Sequence, residues 1–144
     1  MRSFRVYLKS EPYLIINLVI AGVISLIMIY SGFFSPGKDN YPVPCIHEKI
    51  TGRECVSCGL SHSFSLILRG RFNEAIEWNR YGPAVFTFFA VQLILRISFS
   101  FLYMRLKRAQ RLILSIDIPV SAVMLIITFL PFINYIFSSL RFLI

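Results

Sequence analysis

The sequence predicts an all-α membrane protein: three transmembrane helices, plus a short amphipathic helical hairpin, interfacial or re-entrant, in the first outer loop. Three observations predict it. The 144 residues are 56% hydrophobic, with a mean hydropathy of +0.69, whereas a soluble domain holds about 45–50% apolar residues. Three runs, at about 13–34, 83–104 and 118–143, are long enough for a bilayer, which takes about 20 apolar residues. The remainder is too short and scattered for a separate soluble core, so residues 1–144 read as one polytopic membrane domain with a cysteine-containing outer loop at 35–80.

The net charge of +8 is distributed in a way that excludes nucleic acid as a partner. Arg2, Arg5 and Lys9 precede the first run, and Arg105, Lys107, Arg108 and Arg111 follow the second. The long first loop mixes Lys38, Lys49, Arg53, Arg69, Arg71 and Arg80 with five acids. Short basic flanks stay on the cytoplasmic side, where anionic lipid attracts them. This puts the N-terminus in the cytoplasm and the cysteine loop and C-terminus outside.

Glu11-Pro12 suits the start of the first span, because proline at the first helical position loses no hydrogen bond. Asn17 is expected to bond within the bundle, and Gly22 with Ser25 to mark a close helix–helix contact. The apolar run exceeds the core of a secretory signal and no A-x-A-like site follows, so it reads as a retained anchor.

Ser35 to Tyr41, "SPGKDNY", is turn chemistry, and an irregular cross-linked loop follows. From Gly59 to Gly70, Leu60, Phe64, Ile67 and Leu68 share one helical side while His62, Ser65 and Arg69 form a polar face. Gly70 is a natural C-cap. Asn73 is the expected N-cap of a second short helix, Glu74–Asn79. Trp78 and Tyr81 suit the headgroup layer.

The second span opens at Gly82-Pro83 and carries Gln92 and Arg96 on one face. Arg96 lies roughly 20 Å from the outer end and roughly 10–13 Å from the inner one, at 1.5 Å per residue. It can snorkel to the cytoplasmic headgroups, pair with Asp117, or make a functional contact. In the third span Asp117 is the expected cap and Pro119 the first-turn residue. Pro131 is expected to kink the helix, with Asn134 seeking a bundle partner.

All three cysteines, Cys45, Cys55 and Cys58, fall in the outer loop, where thiols tend to be oxidised. Cys45 joined to Cys55 or Cys58 closes a loop of about 11–14 residues, worth about 2–3 kcal/mol in chain entropy. Cys45, His47, Cys55 and Cys58 also form a legitimate tetrahedral zinc set, with His62 able to replace His47. A Cys55–Cys58 pair has redox spacing, with Cys58 nearer a helix N-terminus. Cys58 and His62 stand i, i+4, and Glu54, Glu74 or Glu77 could orient an imidazole. No spacing specifies a triad, so the chain reads as non-enzymatic.

The run Pro44-Cys45, Thr51-Gly52, Cys55-x-x-Cys58-Gly59-Leu60-Ser61, Leu68-x-Gly70, Ala75 and Asn79 resembles a family of small prokaryotic membrane proteins, domain of unknown function 2752. That family reads roughly Cys-Pro, Thr-Gly, Cys-Pro-x-Cys-Gly-Leu-Thr-Arg, then Ala and Asn-Pro before a span. Val56, His62 and Arg80 depart from the pattern. The resemblance implies a polytopic inner-membrane protein with no agreed activity. The reading that follows is an accessory subunit of a larger membrane complex, in contact with lipid and membrane-protein subunits, with no cofactor expected beyond a candidate zinc. Its alternatives are an extracytoplasmic thiol-redox or zinc protein, and a lipid or small-ligand handler using Gln92 and Arg96.

Overall fold

The computed structural model describes residues 11–33 and 56–141, which contain helices and turns and no strand. The turn at Ser35–Tyr41, Cys45, His47 and Cys55 lie outside the described residues. Three helices are long and apolar enough to cross a membrane: α1 (Pro12–Phe33), α4 (Gly82–Arg105) and α5 (Gln110–Arg141). Between α1 and α4 lie the short helices α2 (Leu60–Leu68) and α3 (Phe72–Trp78), and a 3-10 turn at Lys107–Ala109 joins α4 to α5.

Helix α4 is the hub: α1, the α2–α3 hairpin and α5 all pack against it. Its buried residues, Val85, Phe88, Gln92, Arg96, Ser100 and Tyr103, recur every three or four positions and so form one inward stripe. Arg105 closes its last turn, where a cation favours the helix dipole.

At the Glu11 end, Leu14, Tyr103 and Ile113 make a small core against Tyr13, Phe99 and Leu114. The Tyr13 and Tyr103 rings lie 4.8 Å apart, and the Tyr103 hydroxyl donates to Glu11 Oε2 at 2.9 Å. The other end is aromatic. Phe64 meets Phe86 and Phe89 edge-on at 5.4 and 5.9 Å, and Phe88 meets Phe129 likewise at 5.5 Å. Such geometries add to plain area burial.

The hairpin turn has a specific chemistry. Gly70, at φ 75°, lets the Arg71 amide reach the Leu66 carbonyl and its own amide reach that of Ile67, both at 2.9 Å. That is the Schellman pattern expected of a C-terminal glycine. The chain then enters α3 directly at Phe72, so Asn73 is inside the helix and not its cap. Glu74 instead takes both ends of the Arg71 guanidinium, and that bond raises the Arg71 pKa. The pair is exposed and contributes little to stability.

Three other expectations are corrected. Helix α5 begins at Gln110, eight residues before the expected 118, so Asp117 and Pro119 are interior residues and not a cap and first turn. The segment Gln110–Ile116 is rich in good helix formers, and Pro119 forfeits only one backbone bond, which helices in membranes tolerate. The helix likewise runs through Pro131 to Arg141. Gly22 faces outward, with no atom within 4 Å of the position its Cβ would take. The close approach is at Gly82, where a Cβ would lie 2.6 Å from Ser63 Cβ. Finally, Ser65 is fully buried, so His62, Ser65 and Arg69 do not form a solvent face. Helix α2 packs against both α1 and α4, and only Arg69 of the three is exposed.

Two glycines at the same φ of 75° separate local strain from steric conflict. A Cβ at Gly70 meets nothing within 4 Å, but at Gly59 it would stand 2.5 Å from the Trp78 carbonyl oxygen. Gly70→Ala should therefore cost about 1–2 kcal/mol, the left-handed penalty alone. Gly59→Ala should cost clearly more. Thermal unfolding in detergent, with equal Tm losses as the contrary result, checks this.

Candidate functional site

Two constellations hold the polar residues that the sequence singles out. The first lies between the spans. Arg96 on α4 and Asp117 on α5 form a salt bridge whose side chains are 7% and 1% exposed. One guanidinium nitrogen, Nη1, donates to Asp117 Oδ2 at 2.9 Å and to Asn17 Oδ1 at 2.7 Å. The other, Nη2, donates to Asp117 Oδ1 and Ser121 Oγ. The carboxylate also accepts the Tyr13 hydroxyl at 2.7 Å and the Ser121 hydroxyl at 3.1 Å.

Four donors thus converge on one carboxylate, and the cluster is charge-neutral. Arg96 does not snorkel. It is consumed by a partner on the neighbouring helix, the geometry that makes a buried guanidinium tolerable. Arg96 Nε, Asn17 Nδ2 and Ser100 Oγ, all buried, have no protein partner. Gln92, one turn from Arg96, is buried and points its amide at the Met124 sulfur, 3.9 Å away. Asn134 is exposed and stands seventeen residues beyond Asp117, about 25 Å along the helix, so it takes no part. Sequence reasoning missed Tyr13 and Ser121. Ser121 had a signal, standing one helical turn from Asp117.

The second constellation is the corner where the cysteine turn meets the hairpin and α4. Cys58 sits in the turn before α2. The Asn79 side-chain amide donates to the carbonyls of Val56 and Cys58, both at 2.8 Å, and its Oδ1 accepts the Tyr81 amide at 2.8 Å. Gly59 lies under the Trp78 carbonyl, and the His62 ring meets the Trp78 ring at 4.3 Å. Asn79 was legible only as part of a motif, since nothing in its spacing announces a clamp. Arg69 does a related task, donating to Ser65 Oγ, to the Ser65 carbonyl at 2.8 Å, and to the Gly32 carbonyl of α1 at 3.0 Å. It thereby caps the C-terminal end of α1, where a cation is favoured.

Among the described residues, no three His, Cys, Asp or Glu side chains gather as a metal set. Three members of the candidate zinc set, Cys45, His47 and Cys55, lie outside those residues.

Residues 45–93 match the model of a family described as a protein of unknown function (DUF2752). This is the family that the cysteine motif resembles, and the match covers about a third of the chain. No curated protein and no solved structure matches.

The buried pair makes a sharp prediction. Arg96→Met or Asp117→Leu alone strands a charge and should cost about 3–5 kcal/mol. Arg96→Met combined with Asp117→Leu should recover most of that loss, because a well-packed apolar pair can replace a buried ion pair. A double-mutant cycle on detergent-solubilised protein measures the coupling. Additive losses would show that the two charges do not depend on one another.

Proposed function

We propose that the chain is a non-enzymatic accessory subunit of a larger membrane complex, docking on its partners through α5. The observation that carries this reading is the uneven burial of the spans. The apolar stretch of α5 is 11% buried, against 22% in α1 and 28% in α4. Val123, Ile126 and Ile127 are each more than half exposed. Close packing drives helix association in lipid, and α5 packs on α4 and, near its start, on α1, while its apolar residues from Val120 to Leu130 are largely exposed.

The buried pair points the same way. Arg96 and Asp117 satisfy one another, which weighs against lipid or small-ligand handling at Gln92 and Arg96. In this reading the membrane is a prokaryotic inner membrane. The basic residues Arg105, Lys107, Arg108 and Arg111 hold the α4–α5 turn in the cytoplasm, leaving the cysteine loop and the C-terminus outside. The hairpin lies in the outer interface, a placement supported by exposed Phe72, Ile76, Trp78 and Tyr81.

In this reading a disulfide staples the loop; its support is that all three cysteines fall in the loop placed outside the cytoplasm, where thiols tend to be oxidised. The zinc and thiol-redox alternatives use the same corner, Cys58 with His62 one turn on. Elemental analysis and thiol counting separate them: one zinc per chain favours the metal site, and one free thiol without metal favours the staple.

The docking role is tested by photo-crosslinkers placed in the cell membrane at Val123 or Ile127 of α5 and at Val19 of α1. The α5 probes should join the chain to discrete membrane proteins that also co-purify under mild extraction. Adducts to lipid alone at every position, with the protein recovered by itself, would overturn the reading.

A further inference from the structure

We infer that Asn79 is the positioning residue of the cysteine motif, fixing Cys58 through hydrogen bonds made twenty-one residues away in sequence. This deepens the stapled-loop reading and rests on it for its biological meaning, but the geometry stands on the described residues alone.

A carboxamide has two N–H donors and one strong acceptor, and at Asn79 all three directions are used. Both donors go to the turn that carries Cys58: the carbonyls of Val56 and of Cys58 itself, each at 2.8 Å. The acceptor takes the Tyr81 amide at 2.8 Å. The Asn79 main chain is engaged as well, its amide on Ala75 and its carbonyl accepting the Gly82 amide. With 7% exposure, the side chain has little water to turn to. One side chain therefore joins the cysteine turn, the end of α3 and the start of α4.

The surroundings are cut to the same arrangement. Gly59 has no side chain where the Trp78 carbonyl passes, and Gly82 has none where Ser63 sits. The His62 ring, four residues beyond Cys58, rests on Trp78. The Cys58 backbone is thus held on both flanks by residues 78 and 79, whatever the covalent state of its sulfur.

Asn79→Asp isolates this role. The carboxylate keeps an acceptor for the Tyr81 amide, so the α3–α4 corner retains its bond. It removes both donors to the turn and sets oxygen against the Val56 and Cys58 carbonyls. Gly70→Ala is the control, since it strains the far end of α2, where a Cβ meets nothing within 4 Å, and leaves the bonds of the cysteine turn in place. The full chain in nanodiscs is first reduced, and maleimide alkylation of Cys58 is then timed by peptide mass mapping.

The expected result is alkylation at least about tenfold faster in Asn79→Asp than in the parent, a factor within the net stabilisation of the two hydrogen bonds lost. Gly70→Ala should stay near the parent rate. Where the aspartate variant does not insert, Asn79→Gln, which displaces the amide by one methylene, should show the same acceleration. Equal rates in the parent and the Asn79 variant, or an equal acceleration in Gly70→Ala, overturn the assignment. Failure of the staple is read separately. Complete labelling of Cys58 in unreduced parent protein would sink the disulfide and leave the alkylation comparison interpretable.

Discussion

The bidentate contact between Arg96 and Asp117 is the constraint on which the arrangement of the spans depends. In a bilayer, apolar helices gain nothing by hiding from lipid, so Leu and Ile alone would leave their rotation and depth loosely set. A charge in the same place is different, because leaving it unpaired in hydrocarbon is costly. Arg96 fixes which face of α4 is inward, and Asp117 fixes the face of α5 that meets it. Asn17 and Tyr13 bring α1 to the same level. The antiparallel turn makes the match possible. Arg96 lies nine residues before the end of α4 and Asp117 seven after the start of α5, so each stands about 10–14 Å from the connection.

The opposite end of the molecule is organised by shape and backbone hydrogen bonding. There the chain must pass from a cysteine turn through two short helices and into a span, with sharp corners at Gly59, Gly70 and Gly82. Two of these glycines meet the left-handed backbone directly, and two admit a neighbour closer than a Cβ allows. The short helices could not hold themselves, since helices of under about 12 residues are marginal alone. Their support comes from Phe64, Leu66 and Ile67 packed inward and from Arg69 anchoring on the end of α1. The polar residues of α2 are recruited into this packing, and that is why Ser65 is buried.

Much of this was legible from the sequence because hydropathy in a membrane protein has a single dominant meaning. The first two spans fall within a residue of their expected bounds, Pro12–Phe33 and Gly82–Arg105. Gly59 and Gly70 bracket the hairpin's first helix as their chemistry requires, and Arg96 with Asp117 was a visible pairing of two isolated charges. The misreadings have separate causes. Asp117, Asn73 and Pro119 were assigned from local capping rules, which give the propensity of a residue at an end without saying where the end is. Gly22 was read as a contact from its small size, though an outward glycine looks the same in sequence. The wheel reading of α2 placed its polar side in the membrane interface, whereas α1 and α4 stand around it. Asn79 was visible as a motif residue but its role was not, because its partners are backbone carbonyls, which every residue possesses.

The two constellations also fall on different sides of the family match. The family match ends at residue 93, three residues short of Arg96, and it contains neither Asp117 nor any part of α1 or α5. It does contain Cys58, the hairpin, Asn79, Gly82 and the first half of α4. What the family model describes is therefore the corner and the helix onto which it docks. The ion pair that orients the three spans lies outside it. A spanning bundle can be oriented by many different buried pairs, since any donor and acceptor at matched depth will serve. A turn clamped through two specific carbonyls, beneath a glycine that cannot bear a side chain, admits few substitutes. The Cys58–Asn79 corner is accordingly the part of this chain that the family resemblance reaches, and Arg96 and Asp117 hold the spans beyond it.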